Sequence, residues 1–166
     1  MRHTSPAQDA VSELYRASYA RLVGTVALAA GSRAEAEECV QEAFIRLLGS
    51  WSRVSAYEAP EAWVRTVAFR LLSNRRRKAR NALRALIRQG PSRAAPSPDG
   101  DRIDVLRALR RLPLPQRQVV VLHHLVGLSV DEVAAALGVA AGTVKSRLSR
   151  ARGALAPLLS EETTHA

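Results

Sequence analysis

Acidic residues are absent from one long stretch of this 166-residue sequence. Positions 64 to 98 contain ten Arg and Lys residues and neither Asp nor Glu, whereas the whole chain has 25 basic and 15 acidic residues. The other positions therefore hold 15 residues of each sign, and the formal net charge of +10 lies entirely in this stretch. A solvated helix face usually mixes both signs. The segregation predicts an anionic partner, with nucleic acid favoured over an anionic membrane surface.

Cysteine and aromatic residues are also scarce. The single cysteine, Cys39, excludes an internal disulfide and a cysteine-based metal cluster, and its apolar helical surroundings predict a buried side chain. Aromatic residues make up only 4% of the chain, and good helix formers dominate without strand-like alternation, which predicts an all-α fold. No apolar run is long enough to span a membrane and no signal peptide is recognisable. We therefore expect a cytoplasmic protein without membrane insertion.

Sequence motifs for catalysis are absent as well. The chain has no Gly-rich phosphate loop, no nucleophile elbow and no metal-ligand spacing. His123 and His124 are adjacent on a predicted helix and should point in different directions, so we do not expect them to form a paired site. These absences predict a protein without catalytic residues, bound metal or cofactor.

The N-terminal half is predicted to contain three helices. Ser32 and Glu35 form a capping box that opens the second helix, and Pro60 suits the first position of the third. The predicted helices span positions 6–29, 32–48 and 60–80, with a loop at 49–59 that contains Trp51. The third helix ends in NRRRKAR, and the helix macrodipole accounts for about two of these five basic residues. Phosphate binding explains the whole run better.

The second helix carries a polar trio on its free side. Glu38, Gln41 and Glu42 are spaced i, i+3, i+4 and so share one face. A solvated acidic face is the usual explanation of such a trio. A metal site is the alternative, but no histidine lies nearby to complete one.

A change of composition divides the chain. The segment QGPSRAAPSPDG at positions 89–100 contains three prolines, two glycines and two serines, which is typical of a flexible linker. We predict two small helical domains, at 6–88 and 102–160, joined by a linker at 89–101. Pro113 and Pro115 should separate the first two helices of the second domain.

The C-terminal stretch predicts a helix-turn-helix. Ser129 and Glu132 form a capping box, and Gly138 allows a turn with positive φ before the next helix. That helix should bury Val144 and Leu148 and present a polar, basic surface. The residues of this surface are Thr143, Lys145, Ser146, Arg147, Arg150 and Arg152. A short helix, a glycine turn and a basic second helix together favour DNA binding in a major groove over a structural hairpin.

With these motifs the chain resembles a known family, the extracytoplasmic-function (ECF) sigma factors of bacterial RNA polymerase. The segment LPLPQRQVVVLHHLVGLSVDEVAAALGVAAGTVKSRLSRARGAL is similar to the family's region 4. AEAEECVQEAFIRLL resembles region 2.2, and PEAWVRTVAFRLLSNRRRKAR resembles regions 2.3 and 2.4. The resemblance implies a promoter-specificity subunit whose partners are core polymerase (β′ clamp and β flap), promoter DNA and an anti-sigma factor, with no demand for a homo-oligomer.

The resemblance also implies roles for particular residues. Region 4 reads the minus-thirty-five duplex. The resemblance therefore assigns that contact to the six surface residues named above, on the second helix of the helix-turn-helix. Region 2.2 docks on the β′ clamp, which assigns core binding to Glu38, Gln41 and Glu42. Regions 2.3 and 2.4 capture the minus-ten element. That contact is implied for the loop at 51–59 and for Trp63, Arg65, Arg70, Asn74, Arg75, Arg76, Arg77 and Lys78.

Two departures from the family pattern stand out. Ala140 lies where a serine commonly caps the recognition helix, and Arg70 lies in a frequently Asn-containing segment.

Two other functions fit parts of the sequence. An operator-binding regulator would use the same helix-turn-helix, but it normally needs a dimer and would leave the acidic trio without a role. A basic membrane- or RNA-associated structural protein would leave the helix-turn-helix unexplained.

Overall fold

A computed structural model describes residues 5–87 and 103–160. Within these residues it contains seven α-helices and no strand, and the predicted all-α class is confirmed. The helices are α1 (Pro6–Ala30), α2 (Arg33–Val54), α3 (Pro60–Ile87), α4 (Ile103–Arg111), α5 (Leu114–Val120), α6 (Val130–Leu137) and α7 (Ala141–Ser160). A π-helical segment, Val121–Leu125, continues α5. The linker predicted at 89–101 lies outside the described residues.

Helices α1, α2 and α3 pack their apolar stripes against one another. The most deeply buried side chains here include Leu22 and Val26 of α1, Leu47 of α2, and Phe69 and Leu72 of α3. Cys39 of α2 is also fully buried, as predicted, and this burial raises the pKa of its thiol. Phe69 has the largest fully buried side chain among the residues that the structure describes.

Helix α2 extends beyond its predicted end, and the loop predicted at 49–59 is therefore wrong over its first half. Gly49 lies inside the helix, which continues to Val54, and Trp51 lies in its last two turns. Leu47, Trp51 and Val54 are spaced i, i+4, i+7, and all three pack into the core. This burial outweighs the cost of about 1 kcal/mol for one glycine inside a helix.

Helix α3 also extends beyond its predicted end at position 80. It continues to Ile87, so the basic run 74–80 lies inside the helix rather than at its C-terminus. Positions 81–87, NALRALI, contain no Pro or Gly and are mostly good helix formers. Because the run is internal, the helix macrodipole does not stabilise it, and its charges need another explanation.

The capping box predicted at the start of α2 is only half formed. The Ser32 hydroxyl accepts a hydrogen bond from the Glu35 backbone N–H at 3.3 Å, as predicted. The Glu35 carboxylate does not return to the Ser32 backbone; it accepts two hydrogen bonds from Arg76 of α3 instead, at 2.6 and 3.0 Å. A charged partner competes successfully with the local backbone for this carboxylate.

The predicted helix-turn-helix is confirmed by the structure. The Ser129 hydroxyl accepts from the Glu132 N–H at 3.1 Å, and the Glu132 carboxylate accepts from the Ser129 N–H at 2.7 Å. The backbone hydrogen bond from Ser129 lowers the pKa of Glu132. Gly138 ends α6 with φ +66°. Ala140 precedes α7 without a capping side chain, and its carbonyl accepts from the Thr143 and Val144 N–H groups.

The two halves of the chain pack against each other through α1 and α3. Gln118 of α5 is buried, donates to the Phe69 carbonyl at 3.2 Å, and exchanges hydrogen bonds with the Ser73 hydroxyl. Arg70 donates to the carbonyls of Ala136 and Ala135 near the C-terminal end of α6, each at 2.9 Å. Arg70 therefore binds the helix terminus where carbonyls lack intrahelical partners. We call these two contacts the Arg70 and Gln118 contacts.

Candidate nucleic-acid interface

Helix α7 buries one side and exposes a basic side. Val144 and Ala151 are fully buried and Leu148 is nearly so, in agreement with the predicted stripe. The exposed side chains are Lys145, Ser146, Arg150 and Arg152, and those of Thr143 and Arg147 are half-buried. Guanidinium groups of this kind can donate two hydrogen bonds to the major-groove edge of guanine. Four of the six side chains predicted to read duplex DNA are thus exposed, and Thr143 and Arg147 are only partly accessible.

The basic residues of α3 fall into two groups. Arg75 and Arg76 contact acidic residues of α2: Arg75 forms an ion pair with Glu38, and Arg76 forms its two hydrogen bonds with Glu35. Arg76 also donates to the Ala30 carbonyl at the end of α1, at 2.8 Å. Its side chain is only 37% exposed, and the hydrogen bond with Glu35 raises its pKa. Arg76 therefore ties α3 to the junction of α1 and α2.

The remaining predicted minus-ten residues are differently placed. Arg77 and Lys78 are exposed, and Arg77 makes one 3.3 Å hydrogen bond to Asn74 on its own helix. Arg65 is half-buried, and its charge helps to lower the pKa of Glu132. Trp63 packs partly into the core. Arg70, described above, is engaged with α6, so the eight residues do not form a single open surface.

The trio on α2 lies on the accessible surface of the N-terminal half: Glu38 and Gln41 are exposed and Glu42 is half-buried. The Glu42 carboxylate accepts from Arg46 at 2.9 Å, and the Gln41 amide donates to the Tyr19 hydroxyl at 3.2 Å. Glu38, paired with Arg75, remains 64% exposed. Each member of the trio has one intramolecular partner and is still at least partly accessible. We call Glu38, Gln41 and Glu42 the docking face.

An apolar groove that the sequence reasoning missed borders the docking face. It has a volume of about 540 Å³, lies between α1 and α2, and includes Gln41 in its lining. Ile45 and Leu48, which line it, are 63% and 49% exposed. Tyr15 stacks on Tyr19 at 4.5 Å in the same region. The signal was present in the sequence, because Gln41, Ile45 and Leu48 are spaced i, i+4, i+7 on the free side of α2.

Neither a metal site nor a membrane span emerges from the described residues. Across positions 5–87 and 103–160, no three His, Cys, Asp or Glu side chains are grouped so that they could hold a metal ion. No helix in the same residues combines the length and apolar character needed to cross a membrane. His123 has a local role: its Nδ1 lies 2.6 Å from the Leu128 carbonyl, in the turn before α6.

Comparison with known protein families and solved structures identifies the class of protein to which this fold belongs. A family model for Sigma-70 region 2 matches residues 14–82, and one for Sigma-70 region 4 matches residues 102–155. Among solved structures, the sigma factor RpoE in complex with the anti-sigma factor NepR from Bartonella quintana has a TM-score of 0.70 and 25% identity, covering 90% of this chain and 96% of that one. CnrH in complex with the cytosolic domain of CnrY has a TM-score of 0.59 and 25% identity, covering 93% and 90%.

Individual relatives give the family. The RNA polymerase sigma-E factor of Streptomyces coelicolor is 34% identical over 119 residues, covering 70% of this chain and 67% of the relative. The ECF RNA polymerase sigma factor SigM of Mycobacterium tuberculosis is 30% identical over 158 residues, covering 95% and 81%. The chain belongs to the ECF sigma factors, as the sequence resemblance implied. It is thus a transcription initiation factor that works with RNA polymerase at specific promoters.

Proposed function

We propose that this chain binds core polymerase through the docking face and its neighbouring groove, reads the minus-thirty-five duplex with α7, and captures the minus-ten strand with α3. The observation that carries the proposal is the presence of an exposed basic recognition helix and an acidic, apolar-bordered face on one chain. In this proposal the protein catalyses no reaction and acts in the cytoplasm, where core polymerase meets chromosomal DNA. Binding of unpaired bases offsets part of the cost of melting.

The minus-thirty-five contact rests on the geometry of α7. Lys145 and Arg152 flank the exposed side and suit phosphate contacts, while Arg147 and Arg150 suit guanine O6 and N7. Ser146 donates to the Thr143 carbonyl at 3.0 Å, which leaves its oxygen free to accept a hydrogen bond. The helix N-terminus adds backbone N–H groups that favour a phosphate.

The minus-ten contact rests on the accessible part of α3 and on the turn before it. Arg77 and Lys78 are exposed, and Tyr57 in the turn between α2 and α3 is 44% exposed. An exposed aromatic ring before α3 and cationic side chains further along it suit a run of unstacked bases better than a closed duplex. Asn74 is exposed as well, whereas Arg65 and Trp63 are half-buried and would support these contacts. Arg70, Arg75 and Arg76 can join them only after releasing their present partners.

The core contact combines charge with apolar area. The docking face supplies carboxylates, and Ile45 and Leu48 supply exposed apolar surface beside it. Interfaces commonly pair such an apolar patch with a polar rim. The exposed apolar side chains are therefore explained by a protein partner rather than by the fold, because they do not contribute to the core.

Charge reversal on the docking face tests the core contact. We expect Glu42→Lys to weaken the affinity for purified core polymerase by about tenfold or more, because a like charge replaces a complementary one. Glu13→Lys is the matched control, since it makes the same charge change at an exposed position of α1 that does not line the groove. Circular dichroism checks that both variants fold. Normal core binding by Glu42→Lys would remove the docking-face assignment.

Regulation by an anti-sigma factor is also part of the proposal. The similar RpoE and CnrH structures are complexes with NepR and CnrY. We propose that an anti-sigma protein binds this chain in a comparable way and competes with core polymerase. A two-hybrid or co-purification screen in the native host that recovers no such protein would contradict this part alone.

A further inference from the structure

A crevice separates the C-terminal half of α3 from the helix-turn-helix. Its volume is about 690 Å³, which lies within the range of small-molecule sites. Asn74, Arg77 and Arg80 of α3 line one wall. Leu114, Val139 and Arg147 from the C-terminal half line the other wall. Neither promoter contact proposed above requires this space to exist.

The two walls are held at a fixed spacing by the Arg70 and Gln118 contacts. Gln118, which itself lines the crevice, is buried and bonded to α3 through the Phe69 carbonyl and the Ser73 hydroxyl. Arg70 fastens α3 to the end of α6 one turn before Ser73. The crevice is thus built by specific hydrogen bonds between the halves, and it disappears if they separate.

Among the described residues, the charges that line the crevice are all positive. They are four arginines, with no Asp or Glu. Arg76 is neutralised by Glu35, but Arg80 and Arg147 have no hydrogen-bond or ion-pair partner within residues 5–87 and 103–160. Arg77 has only its neutral partner Asn74. Three guanidinium groups without acidic partners repel one another across a partly enclosed, low-dielectric space, so an anion there would be strongly favoured.

The remaining lining of the crevice is apolar. Leu83, Leu114, Leu137 and Val139 contribute hydrocarbon surface, together with two prolines. Several cations beside an apolar floor match a ligand that has multiple negative charges at one end and an apolar or aromatic group at the other. A B-DNA duplex does not fit, because it accommodates a protein helix in its groove and cannot enter a gap between two packed helices.

We propose that this crevice is a binding site for a small molecule with linked phosphates, of which a nucleoside polyphosphate fits both the cations and the apolar floor. Its phosphates contact Arg77, Arg80 and Arg147, and its base lies on the apolar surface. Such a ligand bridges α3 and α7 and stabilises their packed arrangement. Because Arg147 and Arg77 also belong to the proposed promoter contacts, bound ligand and promoter DNA compete for them; this consequence, unlike the site itself, rests on the proposed function.

Isothermal titration of the purified full chain tests the site without polymerase or DNA. The probes are ATP and inorganic tripolyphosphate, at a constant ionic strength of about 0.15 M so that screening is equal. We expect saturable 1:1 binding, which Arg80→Ala weakens by about tenfold, the usual effect of losing one charge-assisted hydrogen bond. Arg84→Ala is the matched control, because it removes the same charge one turn further along α3 from an exposed residue outside the crevice.

The two probes show whether the site binds a base as well as the phosphates. Tighter binding of ATP than of tripolyphosphate supports a nucleotide that uses the apolar floor, and equal binding supports the phosphate site without a base contact. Arg70→Ala should also weaken binding, because one of the two contacts that hold the walls together is then lost. Absence of saturable binding, or an equal loss in Arg80→Ala and Arg84→Ala, would overturn the proposal. Either result would leave the core-binding test above unaffected.

Discussion

Arg75 and Arg76 show how one residue can serve both the fold and a proposed interface. Both belong to the basic run of α3, which the sequence assigns to DNA, yet both contact carboxylates of α2. Glu38 is shared in the same way, because it belongs to the docking face and pairs with Arg75. Under the proposed function, release of Arg75 frees a cation for DNA and a carboxylate for core polymerase together, so the two proposed interfaces are energetically linked through this pair.

Substitution of neighbouring arginines separates the structural role from the binding role. Arg76→Ala should lower the free energy of unfolding by about 1–3 kcal/mol, because Glu35 and the Ala30 carbonyl lose a charged donor. Arg77→Ala should change it by less than about 0.5 kcal/mol, because Arg77 is exposed and has only a weak contact on its own helix. Urea denaturation measures both. Equal destabilisation by the two variants would refute the structural role of Arg76.

Buried polar residues were the least predictable at this scale. Gln118 and Arg117 on α5 are 3% and 6% exposed. Sequence patterning treats both as surface residues, since only a tertiary partner such as Phe69 or Ser73 makes burial of an amide acceptable. Arg117 has fewer partners: its Nη1 donates to the Arg110 carbonyl at 3.4 Å and its Nε has none in the described residues. Burial lowers the pKa of Arg117.

At the scale of elements, local signals predicted where helices begin better than where they end. Ser129 with Glu132, Gly138 and Pro60 marked their boundaries correctly, because each acts through its own backbone or near neighbours. The ends of α2 and α3 were misplaced. Gly49 does not end α2 because Trp51 and Val54 pack into the core, an effect that depends on distant residues. The apolar groove was not predicted for a related reason: tertiary packing decides which apolar side chains stay exposed.

Helix α7 lacks a side-chain cap, and this can be corrected by substitution. Ala140 is exposed, and its carbonyl alone accepts hydrogen bonds from the first turn. Ala140→Ser should raise the free energy of unfolding by about 1 kcal/mol, because the hydroxyl can accept from an unpaired N–H of that turn. Ala154→Ser, at an exposed position inside α7, should instead be neutral or slightly destabilising. Thermal or urea unfolding of both variants decides; no gain from Ala140→Ser would show that the terminus is already satisfied.

At the scale of the whole molecule, the packing of the two halves is the feature that sequence patterning did not predict. Local signals in the chain, from the basic run to the helix-turn-helix, predict two separable helical units. The buried cluster nevertheless continues from α1–α3 into α5–α7. In this arrangement Arg147 of the recognition helix faces Arg77 and Arg80 across the crevice. Under the proposed function, separation of the halves would free Arg147 and Arg77 for their promoter contacts.

Loss of the Arg70 contact should favour that separation. Arg70→Ala removes two hydrogen bonds to the end of α6, and fluorophores attached at the exposed positions Ser52 and Ser149 would report the distance between the halves. We expect a larger mean distance and a broader distribution by energy transfer than in the unsubstituted chain. Arg84→Ala, which removes an exposed arginine of the same helix, should leave the distribution unchanged. An identical distribution in Arg70→Ala would show that Arg70 does not hold the halves together.

Run-off transcription with purified core polymerase and fragments of the native genome tests most directly whether this chain directs polymerase to promoters through its two basic helices and its docking face, as proposed. We predict specific transcripts that appear only when the chain is present, and that decline when Arg150→Ala removes a recognition-helix contact worth about 1–3 kcal/mol. Absence of specific initiation, in a preparation that is folded and mixed with active core, would contradict the account.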